Sequence, residues 1–307
     1  MNSRTPEMLS PHEPLRLMRA EQLVRMEHPP IRQHWGHLIT DRMLGMVYAA
    51  RGSGKTFFAV GLCVSIASGK PFLGNKPSEP RRVVYLDGEM GSVLMSKRLK
   101  ETQASLGARH LKRIKVLAPD LCPRSLPSLA TRDGQREIDR LIPTDTEVIV
   151  VDNMSSWNRG GREDAEGWGT WLDWMLRHKH SGRTIIIVHH ANKNGGQRGT
   201  SAREDQLDFT IALSPKSVQS QPGALSFRLT WEKLRSIGQA HAAPMDVTRV
   251  EDEKTGKITW QHQKAESTQD RHQRAVQLRA QGQSLSAIAK QIGVDKSTVS
   301  RMLRHRA

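Results

Sequence analysis

Apolar residues occur along this chain in short, nearly unbroken runs, and amphipathic stretches separate them. The runs are Met43–Tyr48, Val83–Leu86, Ile114–Leu117, Val148–Val151 and Thr184–Val188. A run without polar alternation suits a strand covered on both faces. Between the runs, Phe57–Ile66 reads as a buried helix and Ser92–Leu106 as a helix with Leu94, Met95 and Leu99 on one side. Gln135–Leu141 and Trp168–Leu176 read as two more helices, and Gly69-Lys70-Pro71 and the prolines from Pro119 to Pro127 interrupt the pattern. Strands alternating with helices predict an α/β fold with a mostly parallel, doubly wound sheet flanked by helices. Past Gln206, shorter alternating runs such as Ala224–Trp231 and Ile258–Trp260 predict antiparallel strands that extend or cover that sheet.

Gln261–Asp270 is polar and reads as a linker, and three short helical patterns follow it. The expected organisation is an extension over 1–37, a sheet-containing core over 38–262, a linker over 263–270 and a small all-α domain over 271–307. A chain of 307 residues can bury one sizeable core and still carry such a module.

Charge adds a partner. Forty-seven Lys and Arg against 31 Asp and Glu give a net charge of +16, which suits a polyanion such as nucleic acid. Basic residues gather from Met175 to Arg203 and again from Arg271 to the end. No run is long enough to span a membrane, and Met1–Pro30 is polar and proline-punctuated, unlike a secretory leader. Two cysteines without metal spacing, Cys63 and Cys122, fit a reduced cytoplasmic protein.

The chemistry begins at Ala49-Ala50-Arg51-Gly52-Ser53-Gly54-Lys55-Thr56, which follows one apolar run and opens a helix. This is the pattern of a phosphate-binding P-loop, with Ala49 where the first glycine usually stands. Its backbone N–H groups and the helix N-terminus can wrap nucleotide phosphates. Candidate nucleotide-binding residues are Arg51, Gly52, Ser53, Gly54, Lys55, Thr56 and Phe57. Lys55 would reach the β- and γ-phosphates of ATP, and Thr56 would hold Mg²⁺.

In an open α/β sheet, ligands sit at the carboxyl ends of the strands. Asp152 ends one apolar run and is the second candidate for Mg²⁺, with capping of the turn at Asn153 as the structural alternative. Glu89, just past Gly88, is the candidate that activates the attacking water; Asp87 competes unless its side chain binds the turn. His189-His190 ends another run, and His190 is the candidate that senses the γ-phosphate. The loop Ala191–Arg203 can contact DNA through Lys193 and Arg203, or send Arg198 into a neighbouring subunit's site. Trp171 and Trp174 fall at core spacing, whereas Trp157, on a polar loop with Arg159 and Arg162, is left open for base stacking.

From Arg271 to Arg306 the pattern is a helix-turn-helix within three helices. Val276 and Leu278 mark the first helix, Gly282 stops it, and Ser284 can cap the second, whose inner face is Leu285, Ile288, Ala289 and Ile292. Gly293 supplies the left-handed turn residue, and Val294, Val299 and Met302 hold the third helix. That helix presents Lys296, Ser297, Ser300, Arg301 and Arg304 to duplex DNA. The segment resembles resolvase- and transposase-type helix-turn-helix domains.

With these residues placed, the core from about Leu38 to Leu213 resembles the RecA-like RepA family of plasmid and phage hexameric helicases. The carrying segments are Ala49–Thr56, Val83–Glu89, Val148–Asp152, His189–Lys193 and Arg198–Ser201. The resemblance implies a RecA-like P-loop core that uses ATP and Mg²⁺, with Lys55 and Thr56 on phosphate and metal. It further implies Asp152 at the metal, Glu89 as base, His190 coupling hydrolysis to DNA and Arg198 as a finger supplied in trans. Single-stranded DNA would pass through a homo-oligomeric, hexameric core. The rival expectations are a site-specific DNA-binding regulator that uses ATP as a switch, and a recombinase-like filament former.

Overall fold

A computed structural model of the chain describes residues 17–158, 165–191, 205–216, 224–235, 242–266 and 268–304. A short helix, α1 (Ala20–Val24), and a hairpin of β1 (Gln33–Trp35) and β2 (Ile39–Thr40) lead into β3 (Leu44–Ala49) and α2 (Lys55–Ser68). Then come β4 (Val83–Asp87), α3 (Ser92–Leu106), β5 (Ile114–Leu117), α4 (Arg132–Leu141) and β6 (Val148–Asp152). The core continues through α5 (Ala165–His180), β7 (Thr184–His190), β8 (Phe209–Pro215), β9 (Leu225–Leu234), β10 (Met245–Glu251) and β11 (Ile258–Lys264).

These strands form one nine-stranded sheet in the order β11-β10-β9-β8-β3-β7-β6-β4-β5. From β5 to β8 every pairing is parallel; from β8 to β11 every pairing is antiparallel. Alternation within each apolar run sends neighbours to opposite faces. Val148 and Val150 of β6 join the cluster beneath α2 and α3, while Ile149 and Val151 join the one beneath α4 and α5. Both clusters exclude water, so the parallel strands can be apolar throughout. Cys63 is fully buried among the α2 side chains of the first cluster.

The antiparallel end curls over α2 and α3: Trp260 of β11 meets Phe72 edge-on at 5.2 Å, and Arg249 of β10 bonds Glu101 of α3 at 3.0 Å. Of the strands past Gln206, β8 pairs parallel with β3 on one edge and antiparallel with β9 on the other, and β9 to β11 pair antiparallel throughout.

Two expected boundaries move. Trp35 is fully buried and stacks on Trp231 at 5.9 Å, so the core begins inside the expected extension over 1–37. At the other end, β11 runs to Lys264 and the next helix starts at Thr268, so the linker over 263–270 shrinks to 265–267. Residues 261–264 read as linker because β11 is an edge strand whose outer residues face water.

The C-terminal helices α6 (Thr268–Ala280), α7 (Leu285–Ile292) and α8 (Lys296–Arg304) pack around their own core of Ala275, Ile288, Ala289, Ile292 and Val299. Val276 is 45% exposed; Ala275 takes the inner place assigned to it. Ser284 caps α7 by accepting the Ala287 N–H at 3.2 Å, and Gly293 closes it with φ +69°.

Candidate nucleotide site and DNA-binding helices

The chain leaves β3 at Ala49 and enters α2 at Lys55 through a turn that needs two glycines. Gly52 (φ +76°) and Gly54 (φ +86°) adopt left-handed backbone, where a side chain costs roughly 1–2 kcal/mol. Gly54 is doubly constrained, because an added Cβ would lie 2.4 Å from Cδ2 of Leu225 on β9. Ala49 is the last residue of a regular strand, in register with His190 and Leu213. Extended backbone accepts any residue, so a glycine is not needed there.

Lys55 is 7% exposed, and its ammonium donates to the carbonyls of Ala49 (3.0 Å) and Ala50 (2.9 Å). Burial pulls its pKa down, and the nearby Asp152 and Glu89 carboxylates pull the other way. Ser53 is buried in the same loop, and its hydroxyl has no hydrogen-bond partner among the described residues. Arg51 is exposed at the loop's rim. Phe57 turns its ring between the guanidinium groups of Arg98 (4.3 Å) and Arg249 (4.2 Å), leaving only its backbone for the loop.

Asp152 closes β6 at 4% exposure. Burial lifts its carboxyl to about 6, against the hydrogen bonds it takes from Tyr85 and Thr56. The Tyr85 hydroxyl donates to Oδ2 at 2.6 Å. The two residues predicted to serve Mg²⁺, Thr56 and Asp152, are thus already in contact. One hydroxyl and one carboxylate, both oxygen donors, fit a small hard cation. Among the described residues no group of three His, Cys, Asp or Glu gathers as a softer metal would require.

On the neighbouring strand, Asp87 and Glu89 divide their tasks. Asp87 is 1% exposed and accepts the backbone N–H groups of Glu89 (3.0 Å), Met90 (2.9 Å) and Gly91 (2.9 Å), so the turn consumes it. Glu89 is exposed, with Oε2 accepting from the Asn153 side-chain amide. The Gly88 N–H ties this strand end to the Asp152 carbonyl at 2.7 Å. A Cβ on Gly88 would lie 2.7 Å from Ser156 and 2.8 Å from the Trp157 indole nitrogen, so this glycine makes room for that ring. Trp157 is therefore fully buried, and its open reading as a base-stacking residue is overturned. Trp171 and Trp174 are core residues, as their spacing predicts.

His189 lies beside Tyr48 and is fully buried; His190 lies beside Ala49 and is half-buried at the loop. Lys193, Arg198 and Arg203, with Arg159 and Arg162, lie outside the described residues. On α8, Lys296, Ser297 and Arg301 are exposed and Ser300 is half-buried, while the Arg304 side chain lies outside the described residues. Asp295, which the sequence reading passed over, caps α8 by accepting the Thr298 N–H at 2.8 Å and also holds the Ser297 hydroxyl at 2.5 Å. These bonds depress its carboxyl below the usual range. A cap residue before a helix is a readable signal for this role.

Comparison with known proteins places this geometry. A family model described as an AAA domain matches residues 11–196, and one described as a helix-turn-helix domain matches residues 267–306. No curated protein matches the chain. Among solved structures, a KaiC-like protein from the hyperthermophilic archaeon Pyrococcus horikoshii OT3 is similar, with 16% identity and a TM-score of 0.52. It covers 76% of this chain and 100% of its own. The RadB recombinase (16% identity, TM-score 0.46, 71% and 90% covered) is similar at lower overlap, as is the flagellar accessory protein FlaH from Methanocaldococcus jannaschii (11%, 0.49, 72% and 89%). The fold is RecA-like, with a helix-turn-helix domain at its C-terminus. No helix among the described residues is long and apolar enough to cross a membrane.

Proposed function

This chain belongs to the AAA-domain family, and from that premise we propose that it is a DNA-dependent ATPase that binds ATP with Mg²⁺ in the Arg51–Phe57 turn. The observation that carries this reading is the convergence of Lys55, Thr56, Asp152 and Glu89 at the carboxyl ends of β3, β6 and β4. Lys55 would exchange its two carbonyls for phosphate oxygens, and Thr56 and Asp152 would hold the cation. A cation held there would supply neutralisation of the charge that develops on the phosphates. Glu89 stands opposite, exposed and positioned by Asn153, to orient and deprotonate water. His190 adjoins the loop and couples it to DNA; Arg198 completes a neighbouring subunit's site, and Lys193 and Arg203 contact single-stranded DNA.

The finer reading is a hexameric replicative helicase of a plasmid, phage or integrative element, acting in the cytoplasm. Its support is Glu89, which follows the strand beside that of Asp152 and does not follow the Asp152 strand itself. A second reading, a DNA-bound regulator that uses ATP as an assembly switch, draws on the helix-turn-helix domain, since unwinding does not require one. In this division, residues up to 264 form the ATPase and residues 268–307 target it to duplex DNA.

A strand-displacement assay separates the two. The wild-type protein unwinds a forked duplex with ATP, and Lys55→Ala removes both hydrolysis and unwinding. Glu89→Gln keeps nucleotide binding and loses hydrolysis by a factor on the order of 10²–10⁴. ATP hydrolysis stimulated by single-stranded DNA without any displacement would overturn the helicase.

A further inference from the structure

The positive charge of the chain has a third centre that neither α8 nor the loop after β7 uses. Between Lys97 and Lys115 seven Lys and Arg stand against one acid, Glu101. Lys97, Lys100, Arg109, Lys112 and Lys115 are exposed. Glu101 cannot neutralise them, because the buried Arg249 already holds it at 3.0 Å, and Lys97 only shares it at 3.8 Å. Arg249 also draws Glu251 at 3.8 Å, and Asp120 is held by Ser92 at the far, N-terminal end of this helix (2.8 and 2.6 Å). Among the described residues Lys100, Arg109, Lys112 and Lys115 enter no ion pair.

Topology gathers these cations at one place. The helix α3 runs back against the parallel strands, so its end and the turn 107–113 lie at their amino ends, beside the edge strand β5. That is the end of the sheet opposite the P-loop. The stretch contains no Phe, Tyr or Trp on which an unpaired base could stack. A row of unpaired Lys and Arg without aromatic platforms matches a regular array of phosphates, and duplex DNA offers about one charge per 1.7 Å of its axis.

We propose that the α3–β5 edge docks the phosphate backbone of duplex DNA, next to the segment held by the helix-turn-helix. This rests on the reading of DNA as the partner and not on hydrolysis or unwinding. The contact is independent of sequence and of nucleotide, because it is built of side chains remote from the P-loop. Tethering by α6–α8 keeps DNA close, so even a weak second contact is populated.

The test is a salt titration of binding to a fluorescein-labelled mixed-sequence duplex by the full chain, with and without Lys100→Glu, Arg109→Glu and Lys112→Glu together. Each phosphate contact contributes about 0.9 to the slope of log K against log salt, so the triple variant loses between roughly 2 and 3 of that slope. Its affinity at about 0.1 M salt falls by tenfold or more, while binding of a labelled ADP is unchanged. The charge-conserving Lys100→Arg, Lys112→Arg protein keeps the wild-type slope. An unchanged slope in the triple variant overturns the proposal, as does a loss confined to single-stranded DNA. Failure of ATP hydrolysis in the wild-type protein would sink the ATPase and leave this surface standing.

Discussion

At the residue scale, the P-loop glycines differ in what they tolerate. A Cβ at Gly52 meets nothing within 4 Å among the described residues, so Gly52→Ala costs only the left-handed backbone, roughly 1–2 kcal/mol. Gly54→Ala adds a collision with Leu225, so its melting temperature should fall further and its nucleotide binding should be lost. Thermal melts of the two variants, with and without ADP, check the order; equal losses would show that Leu225 yields freely. Tyr85 holds one oxygen of Asp152, and Tyr85→Phe removes that bond without removing the ring. The Mg²⁺ concentration needed for tight nucleotide binding should rise roughly tenfold, with metal-free binding unchanged. Much of this was legible, because a polar residue at the end of an apolar run must stand at a strand's end, as Asp152 does. Trp157 was not legible. Its neighbours in sequence are polar, and the missing Cβ that admits it belongs to Gly88, just past the end of another strand.

At the scale of elements, the parallel strands announced themselves by lacking polar residues, while β11 hid. An edge strand with one wet face has the composition of a linker, and only its pairing with β10 reveals it. The same antiparallel extension carries a charged clasp: Asp246 of β10 accepts two bonds from Arg228 of β9 (2.8 and 3.0 Å) and one from Lys216 (2.6 Å). Burial raises the Asp246 carboxyl, but the bonds and charges of Arg228 and Lys216 outweigh it, and the net direction is down. A depressed carboxyl stabilises the fold above its unfolded pKa and loses that contribution as pH falls through the folded value. Asp246→Asn should therefore cost about 1 kcal/mol at pH 7, exposure limiting the figure, and the difference should fade in urea melts toward pH 3. A cost that stayed constant with pH would show that the charge is not what matters.

At the scale of the molecule, charge and covalent connection decide what the two domains do together. The helical domain has its own core, separate from both clusters of the sheet. Deleting residues 268–307 should leave nucleotide binding and the core's melting unchanged and abolish preference for any duplex sequence. A truncated protein with intact preference would move the reading of DNA sequence into the core. What joins the domains is brief: β11 ends at Lys264 and α6 begins at Thr268. Even fully extended, three intervening residues span about 14 Å between those ends. A duplex seated on α8 can stray from the ATPase by little more than the breadth of the helical domain plus that length, so the tether works as a ruler that sets where along DNA the ATPase can act.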